Sequence, residues 1–476
     1  MHRFSQKATL RHNMVFSSIP FIYLFLPTVL AVYFAVPRKL KNVTLLVFSL
    51  LFYWWGEPKY TVLMLFTITF CYGAGLLIEN RQSTRWSKAL LIFSVAVPIG
   101  LLALFKYADF IIGTAGALTG NDYPLLKLSL PIGISFYTFQ ALSYVVDVYR
   151  GEVKAQKNWI DLACYITLFP QLIAGPIVRY KTVAEELEKR ETHLSDFAEG
   201  ARRFVMGVGK KVLIANILGQ FCTAYRESQD VSVMFTWLYA ISFALQIYFD
   251  FSAYSDMAIG LGRIFGFHFL ENFNYPFISK SITEFWRRWH MSLGSWFRDY
   301  LYIPLGGNRV RVPRQIFNIA VVWALTGLWH GAGWSFVLWG VYFAVLLTLE
   351  KFFLSKILRS LPSAVNHIYL LFTVLISFVI FNGESFSVIK ADLSNMFGIS
   401  DIPLLSAETL YYLKSYAVIF IVALIGATPL PKKIAKKAEE IRGNTLVQGI
   451  AVAVILIIST AYLVDGSFNP FLYFRF

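Results

Sequence analysis

The sequence is poor in charge. Asp, Glu, Lys and Arg make up only 15% of its 476 residues, against about 25% in an average soluble domain. Hydrophobic residues make up 57% and aromatic residues 17%. Apolar runs close to the roughly 20 residues that a helix needs to cross a bilayer recur along the whole chain. This composition excludes an ordinary soluble enzyme and predicts an all-α integral membrane protein.

Cysteine and clustered histidine are also scarce. Cys71, Cys164 and Cys222 stand singly in apolar surroundings without paired spacing, and most of the seven histidines are scattered. A disulfide framework and a zinc knuckle both need recurring short spacings between such residues. We therefore expect neither, and no bound metal or cofactor.

Long linkers are absent as well. The net charge of +15 comes from basic residues in short loops between apolar runs, which is where the orientation rule places them on the cytoplasmic side of a membrane. That placement favours contact with membrane lipid and argues against a nucleic-acid partner. We predict one membrane domain over residues 14–476, with a catalytic core at about 281–340. Residues 1–13 are interpreted as an extension before an alternative start at Met14.

The apolar runs predict roughly 11–12 transmembrane helices. They cover residues 19–36, 43–55, 60–78, 90–105, 128–148, 204–223, 233–261, 317–329, 334–349, 368–381, 416–430 and 446–464. The stretch 159–177 is broken by Pro170 and Gly175-Pro176 and is predicted to be re-entrant, because both of its flanks look cytoplasmic. The mixed charges of 182–203 predict a solvated helix.

Ionisable residues concentrate between positions 281 and 340, where His290 and His330 each follow a tryptophan. If residues 284–302 form one helix, Arg287 lies on the same face as His290 at i+3. The alternative for Arg287 and Arg288 is an amphipathic helix whose arginines meet lipid headgroups. Asp250 and Asp256 are expected to make polar contacts between helices, one of them with an arginine.

His330 stands at a break, because residues 331–333 read Gly-Ala-Gly and separate two apolar runs. An ionisable side chain near membrane depth is a candidate functional residue. A neutral imidazole can take a proton from a hydroxyl near neutral pH, which suits a general base. The alternative is a core histidine hydrogen-bonded to a backbone carbonyl.

Several blocks resemble one family. Residues 284–309 and 328–340 resemble the two signature blocks of the membrane-bound O-acyltransferase (MBOAT) family, in particular the bacterial branch of alginate O-acetyltransferase membrane subunits. Three further blocks, PIGISFYTFQ at 131–140, FPQLIAGPI at 169–177 and DFSAYSD at 250–256, carry the likeness along nearly the whole chain.

The resemblance implies an O-acyltransferase of the bacterial inner membrane, with helices around a thin core crossed by a tunnel. A cytoplasmic thioester, acetyl-CoA or another, would supply an acetyl group for an extracellular or periplasmic polysaccharide such as alginate, with periplasmic O-acetyltransferase partner proteins completing the transfer. The family's catalytic histidine corresponds to His330 and its assisting position to His290. The donor path would include Arg287, Arg288, Trp329 and Asp299.

The C-terminal aromatic stretch 468–476 resembles a tail found in related systems. It suggests that Tyr473 holds the acyl group in transit or docks the partner; the alternative is an interfacial aromatic anchor. The acceptor stays open among alginate, peptidoglycan, cellulose and teichoic acid. A transporter would favour inverted repeats with paired broken helices, which the sequence does not display; a non-catalytic docking subunit is the remaining alternative.

Overall fold

The computed structural model describes residues 15–82, 84–439, 444–466 and Leu472. Within this part of the chain the secondary structure is helical, with no strand. Eight of the described helices are long and apolar enough to cross a membrane. The protein is thus an all-α membrane protein, as its composition predicts. Residues 1–13, Met14 and Tyr473 lie outside the described residues.

The chain forms two compact units, of which the first comprises residues 1–204 and 254–270. Its helices are, in order, α1 (Phe21–Ala35), α2 (Lys41–Gly56), α3 (Pro58–Asn80), α4 (Arg85–Thr119), α5 (Ile134–Arg150), α6 (Trp159–Thr167), α7 (Phe169–Leu172), α8 (Tyr180–Glu188) and the beginning of α9 (Leu194–Glu227). The end of α10 (Val233–Ile264) also belongs to it.

Close backbone approach holds α9 and α10 together inside this unit. A Cβ added at Gly200 would lie 2.5 Å from the carbonyl oxygen of Gly260, so the two helices cross where neither has a side chain. Beside this crossing Arg203 donates to Asp256 at 2.9 Å. The prediction that one of the two aspartates pairs with an arginine is confirmed for Asp256.

The predicted break after position 159 is present. Helix α6 ends at Thr167, Leu168 is non-helical, and α7 begins at Phe169 with Pro170 in its first turn. The Phe169 N–H donates to the Ser49 hydroxyl at 3.1 Å, so protein groups satisfy the interrupted backbone.

Two helices are longer than their apolar runs. Helix α4 continues past position 105 to Thr119, because the ammonium of Lys106 is buried in the protein and donates to Ser135 at 3.3 Å instead of ending the span. Helix α9 begins at Leu194 and absorbs residues that the charge pattern assigned to a separate solvated helix.

The second unit comprises residues 205–253 and 271–476. Besides the remainders of α9 and α10 it contains α11 (Ile282–Arg288), α12 (Met291–Phe297), α13 (Val312–His330), α14 (Trp334–Ser360), α15 (Ser363–Asn382), α16 (Phe386–Met396), α17 (Ala407–Gly426), α18 (Leu430–Glu439) and α19 (Asn444–Asp465).

Helices α13 and α14 of this unit pack closely against each other. A Cβ added at Gly340 would lie 2.5 Å from the carbonyl oxygen of Trp323, and one at Gly327 would overlap the carbonyl oxygen of Phe336. Glycine at both positions lets the helices touch along their backbones. The hairpin thereby fixes His330, the last residue of α13, against the start of α14.

Candidate functional site

The segment that carries His290 is not one helix. Helix α11 ends at Arg288, and His290 adopts a left-handed backbone conformation with φ 44° and ψ 54° before α12 begins at Met291. The prediction of a continuous helix over 284–302, with Arg287 facing His290 at i+3, is therefore wrong. A non-glycine residue in this region costs about 1–3 kcal/mol and persists only where its surroundings impose it.

The loop before α11 imposes that break. The Asn274 N–H donates to the carbonyl oxygen of Arg288 at 2.9 Å, and the Met291 N–H donates to that of Asn272 at 2.9 Å. These bonds replace the helical bonds that a continuous helix would make around His290. No glycine or proline at the break announces it in the sequence.

Asn272, which the sequence did not single out, fixes the His290 ring. It is completely buried, and its Oδ1 accepts from the Ser292 N–H at 3.2 Å and from the Ser292 hydroxyl at 2.9 Å. Because a backbone N–H can only donate, the amide oxygen must face this way. The same oxygen lies 3.1 Å from Nδ1 of His290, so Nδ1 carries the proton and Nε2 is the accepting nitrogen of the neutral ring.

His290 lies between α11 and α12, outside the eight candidate spans. It is 2% exposed. Burial, and secondarily the neighbouring His330, hold the pKa of His290 well below its ordinary value of 6.5. His290 is therefore neutral at neutral pH.

The fold packs both histidines against one tryptophan. Trp329 is buried, and the centroid of its ring lies 5.8 Å from that of His290 and 5.0 Å from that of His330. Trp339 and Phe381 stand nearly perpendicular to the His330 ring at 5.1 and 5.2 Å. His330 is 8% exposed, so its imidazole lies in an aromatic enclosure with little contact with water.

Of the other predicted site residues that the structure describes, Trp329 packs against both histidines. Arg287 is exposed, whereas the guanidinium of Arg288 donates to Glu284 at 2.9 and 3.0 Å. Asp299 accepts from its neighbour Arg298 at 2.7 Å. These contacts make Arg288 and Asp299 parts of local ion pairs, while Arg287 presents its charge to the surroundings.

A second buried cluster adjoins His290. The Lys211 ammonium lies 2.5 Å from Oδ1 of Asp250, both side chains are at most 4% exposed, and Oδ2 of Asp250 accepts from the backbone N–H of Leu472 at 2.9 Å. Phe251, the next residue, stands edge-on to His290 at 4.6 Å. The backbone of Leu472 thus lies in the core beside Asp250. The sequence predicted polar packing for Asp250, but neither its lysine partner nor this contact.

Among the described residues, no group of three or more His, Cys, Asp and Glu side chains could hold a metal ion. The site offers instead two imidazoles in an aromatic enclosure, of which His290 is neutral. Neutral imidazoles accept protons from hydroxyl groups, so the arrangement can perform general-base chemistry.

The model of the membrane-bound O-acyltransferase family matches residues 150–390, which include both histidines, Asn272 and the tryptophans around them. The chain belongs to the membrane-bound O-acyltransferase family. It is accordingly a multi-pass membrane acyltransferase.

Curated relatives within the family cover most of the chain. A probable alginate O-acetylase of Azotobacter vinelandii is 36% identical over 97% of this chain and 100% of the relative, and that of Pseudomonas aeruginosa is 41% identical over 79% and 73%. A peptidoglycan O-acetyltransferase of Helicobacter pylori is 33% identical over 71% and 70%. This acyltransferase is therefore similar to proteins named for different acceptors.

Proposed function

We propose that the protein transfers an acetyl group from a cytoplasmic thioester, acetyl-CoA or another acyl thioester, for O-acetylation of an extracytoplasmic polysaccharide such as alginate. The observation that carries the proposal is the pair of buried histidines around Trp329, inside the region that the family model matches. The relatives named alginate O-acetylases, 36–41% identical, support this acceptor.

His330 serves as the general base in this proposal, and His290 assists it. When His330 takes a proton from the acceptor hydroxyl, its imidazole becomes positively charged. A neutral His290 does not repel that charge, whereas a protonated His290 would. The aromatic enclosure supports this role. Because little water reaches the site, hydrolysis of the thioester competes little with acyl transfer to the acceptor.

The proposed path of the acyl donor includes Arg287, Arg288, Trp329 and Asp299. Among these residues, Arg287 is the best placed to contact the acyl donor. It is exposed, whereas Arg288 is held by Glu284 and Asp299 by Arg298. A free guanidinium can bind the phosphates of a donor bidentately. The competing role is contact with lipid headgroups.

The protein acts, in this proposal, in a bacterial inner membrane together with periplasmic O-acetyltransferase partners. Tyr473 lies outside the described residues, but its neighbour Leu472 is buried at 4% exposure. We infer that Tyr473 carries the acyl group or docks the partner. Normal acetyl transfer by Tyr473→Phe would remove the carrier role and favour an interfacial anchor.

The decisive experiment measures O-acetyl ester in extracellular polysaccharide from cells that express wild type, His330→Ala or His193→Ala at matched membrane levels. His193 is exposed, so its variant controls for loss of an imidazole. We expect no acetylation with His330→Ala and full acetylation with His193→Ala. Full retention by His330→Ala would overturn the role of His330 and favour a docking or transport subunit.

The same cells identify the acceptor. Relatives in this family are named for peptidoglycan and, as a D-alanyltransferase in Bacillus subtilis, for teichoic acid. Ester content is therefore measured separately in exopolysaccharide, peptidoglycan, cellulose and teichoic acid. The polymer that loses ester in His330→Ala cells is the acceptor, and loss from peptidoglycan alone would contradict the exopolysaccharide proposal.

A further inference from the structure

Trp339 forms one wall of the His330 enclosure. It lies on α14 and is 2% exposed, and its ring centroid is 5.1 Å from that of His330 at an interplanar angle of 81°. Phe343 and Phe381 stand against it at 5.1 and 5.3 Å. A group bound against His330 therefore also meets the indole of Trp339.

The indole nitrogen of Trp339 has no hydrogen-bond partner among the described residues. An indole N–H can only donate, so neither a flip nor a change of tautomer would supply a partner. Leaving a buried donor unsatisfied costs about 1–3 kcal/mol. Such a group in a folded protein needs an explanation, and a ligand that accepts its hydrogen bond provides one.

The surroundings hold the indole where it is. Trp286 and Trp323 pack against the Trp339 ring at 5.5 and 5.9 Å, and the backbone contact between Gly340 and Trp323 fixes the adjacent turn of α14. A side chain confined on these sides cannot turn its N–H toward water. The donor is therefore preorganised, which is the property that makes electrostatic stabilisation of a transition state effective.

We infer that the Trp339 N–H donates a hydrogen bond to the oxyanion formed during acyl transfer; this inference rests on the proposed function of His330. The imidazole takes the proton of the acceptor hydroxyl while the hydroxyl oxygen bonds to the thioester carbon. The carbonyl π electrons move onto the carbonyl oxygen, which accepts from Trp339. When the carbonyl re-forms, the C–S bond breaks and the thiolate takes the proton from the imidazolium.

The competing explanation is purely structural, with the N–H directed at the face of a neighbouring aromatic ring. The two explanations differ in kinetics. Loss of one oxyanion donor lowers kcat by about 10²–10³ and leaves ground-state binding nearly intact. Loss of a packing contact lowers stability, and its effect on kcat follows the loss of folded protein.

The test uses solubilised membranes that contain the full-length enzyme and its partner proteins, with acetyl-CoA varied and ester formation measured. Trp339 is replaced by Phe and, separately, by benzothienylalanine, which keeps the shape of the indole but has sulfur in place of N–H. Trp323→Phe is the matched control, because it removes an indole from the same cluster. Thermal stability is recorded for each variant.

For both Trp339 variants we expect kcat to fall about 10²–10³-fold, with KM for the donor within a few-fold of wild type and an unchanged shape of the pH–kcat profile. Benzothienylalanine should keep wild-type stability, and Trp323→Phe should keep most of the activity. Wild-type kcat with benzothienylalanine would overturn the inference, as would a shifted pH profile, which indicates an effect through His330. If His330→Ala retains activity in this assay, the proposed function has failed instead.

Discussion

Asn272 gives the sharpest test of how the site is built. It is fully buried, and its amide oxygen receives the Ser292 N–H and hydroxyl and lies 3.1 Å from Nδ1 of His290. Asn272→Ala removes that acceptor and leaves two donors, the Ser292 N–H and the His290 ring N–H, without their partner. The Ser292 hydroxyl can rotate and is not counted.

Each buried donor that loses its partner costs about 1–3 kcal/mol. The two together predict a loss of about 2–6 kcal/mol in the free energy of unfolding if water does not enter. At about 2 °C per kcal/mol, the value for larger domains, Tm falls by about 4–12 °C. Activity should fall by more than the loss of folded protein explains, because no hydrogen bond from Asn272 then selects the His290 tautomer with an accepting Nε2.

The assay is thermal unfolding in detergent with a thiol-reactive dye, for which the protein provides three buried cysteines, Cys71, Cys164 and Cys222. Asn308→Ala is the control, since Asn308 accepts at an exposed position from Tyr302 at 2.7 Å. At about 2 °C per kcal/mol, a difference of about 1 °C corresponds to only about 0.5 kcal/mol. A Tm for Asn272→Ala within about 1 °C of this control would therefore refute the role assigned to Asn272.

Three more predictions follow from the same geometry. Because burial depresses the pKa of His290, the unfolded chain binds a proton below about pH 6.5 that the folded protein does not bind. Tm should therefore fall as the pH drops from 7 to 5, and it should fall less steeply in His290→Gln. Equal slopes of Tm against pH in the two proteins would contradict this prediction. Lys211→Met leaves Asp250 buried without its cation and should lower the free energy of unfolding by about 3–5 kcal/mol. In the same dye assay, the double variant Lys211→Met/Asp250→Leu should recover part of that stability. A double variant as unstable as Lys211→Met alone would contradict the pairing of Lys211 with Asp250. Arg287→Ala should raise KM for acetyl-CoA several-fold at unchanged Tm, while Arg288→Ala should lower Tm; an unchanged KM for Arg287→Ala would favour lipid contact.

Local properties of the chain were readable without the structure. Hydropathy placed most of the membrane helices, because a helix that crosses lipid must be apolar along its own length. The glycines after His330 and the proline near Leu168 indicated real breaks, since backbone freedom is a property of the residue itself. The signature blocks around both histidines gave the family, which the family model confirms.

The site itself depended on contacts that no local pattern encodes. The break at His290 comes from hydrogen bonds with residues 272–274, and residues 284–302 alone are compatible with one helix. The local sequence does not distinguish Asn272 from other asparagines; its role follows from the contacts of its amide oxygen with Ser292 and His290. Nor does the local sequence show that the backbone N–H of Leu472 binds Asp250. The sequence determined which residues could act; only tertiary packing decided which of them meet, because those contacts join residues far apart in the chain.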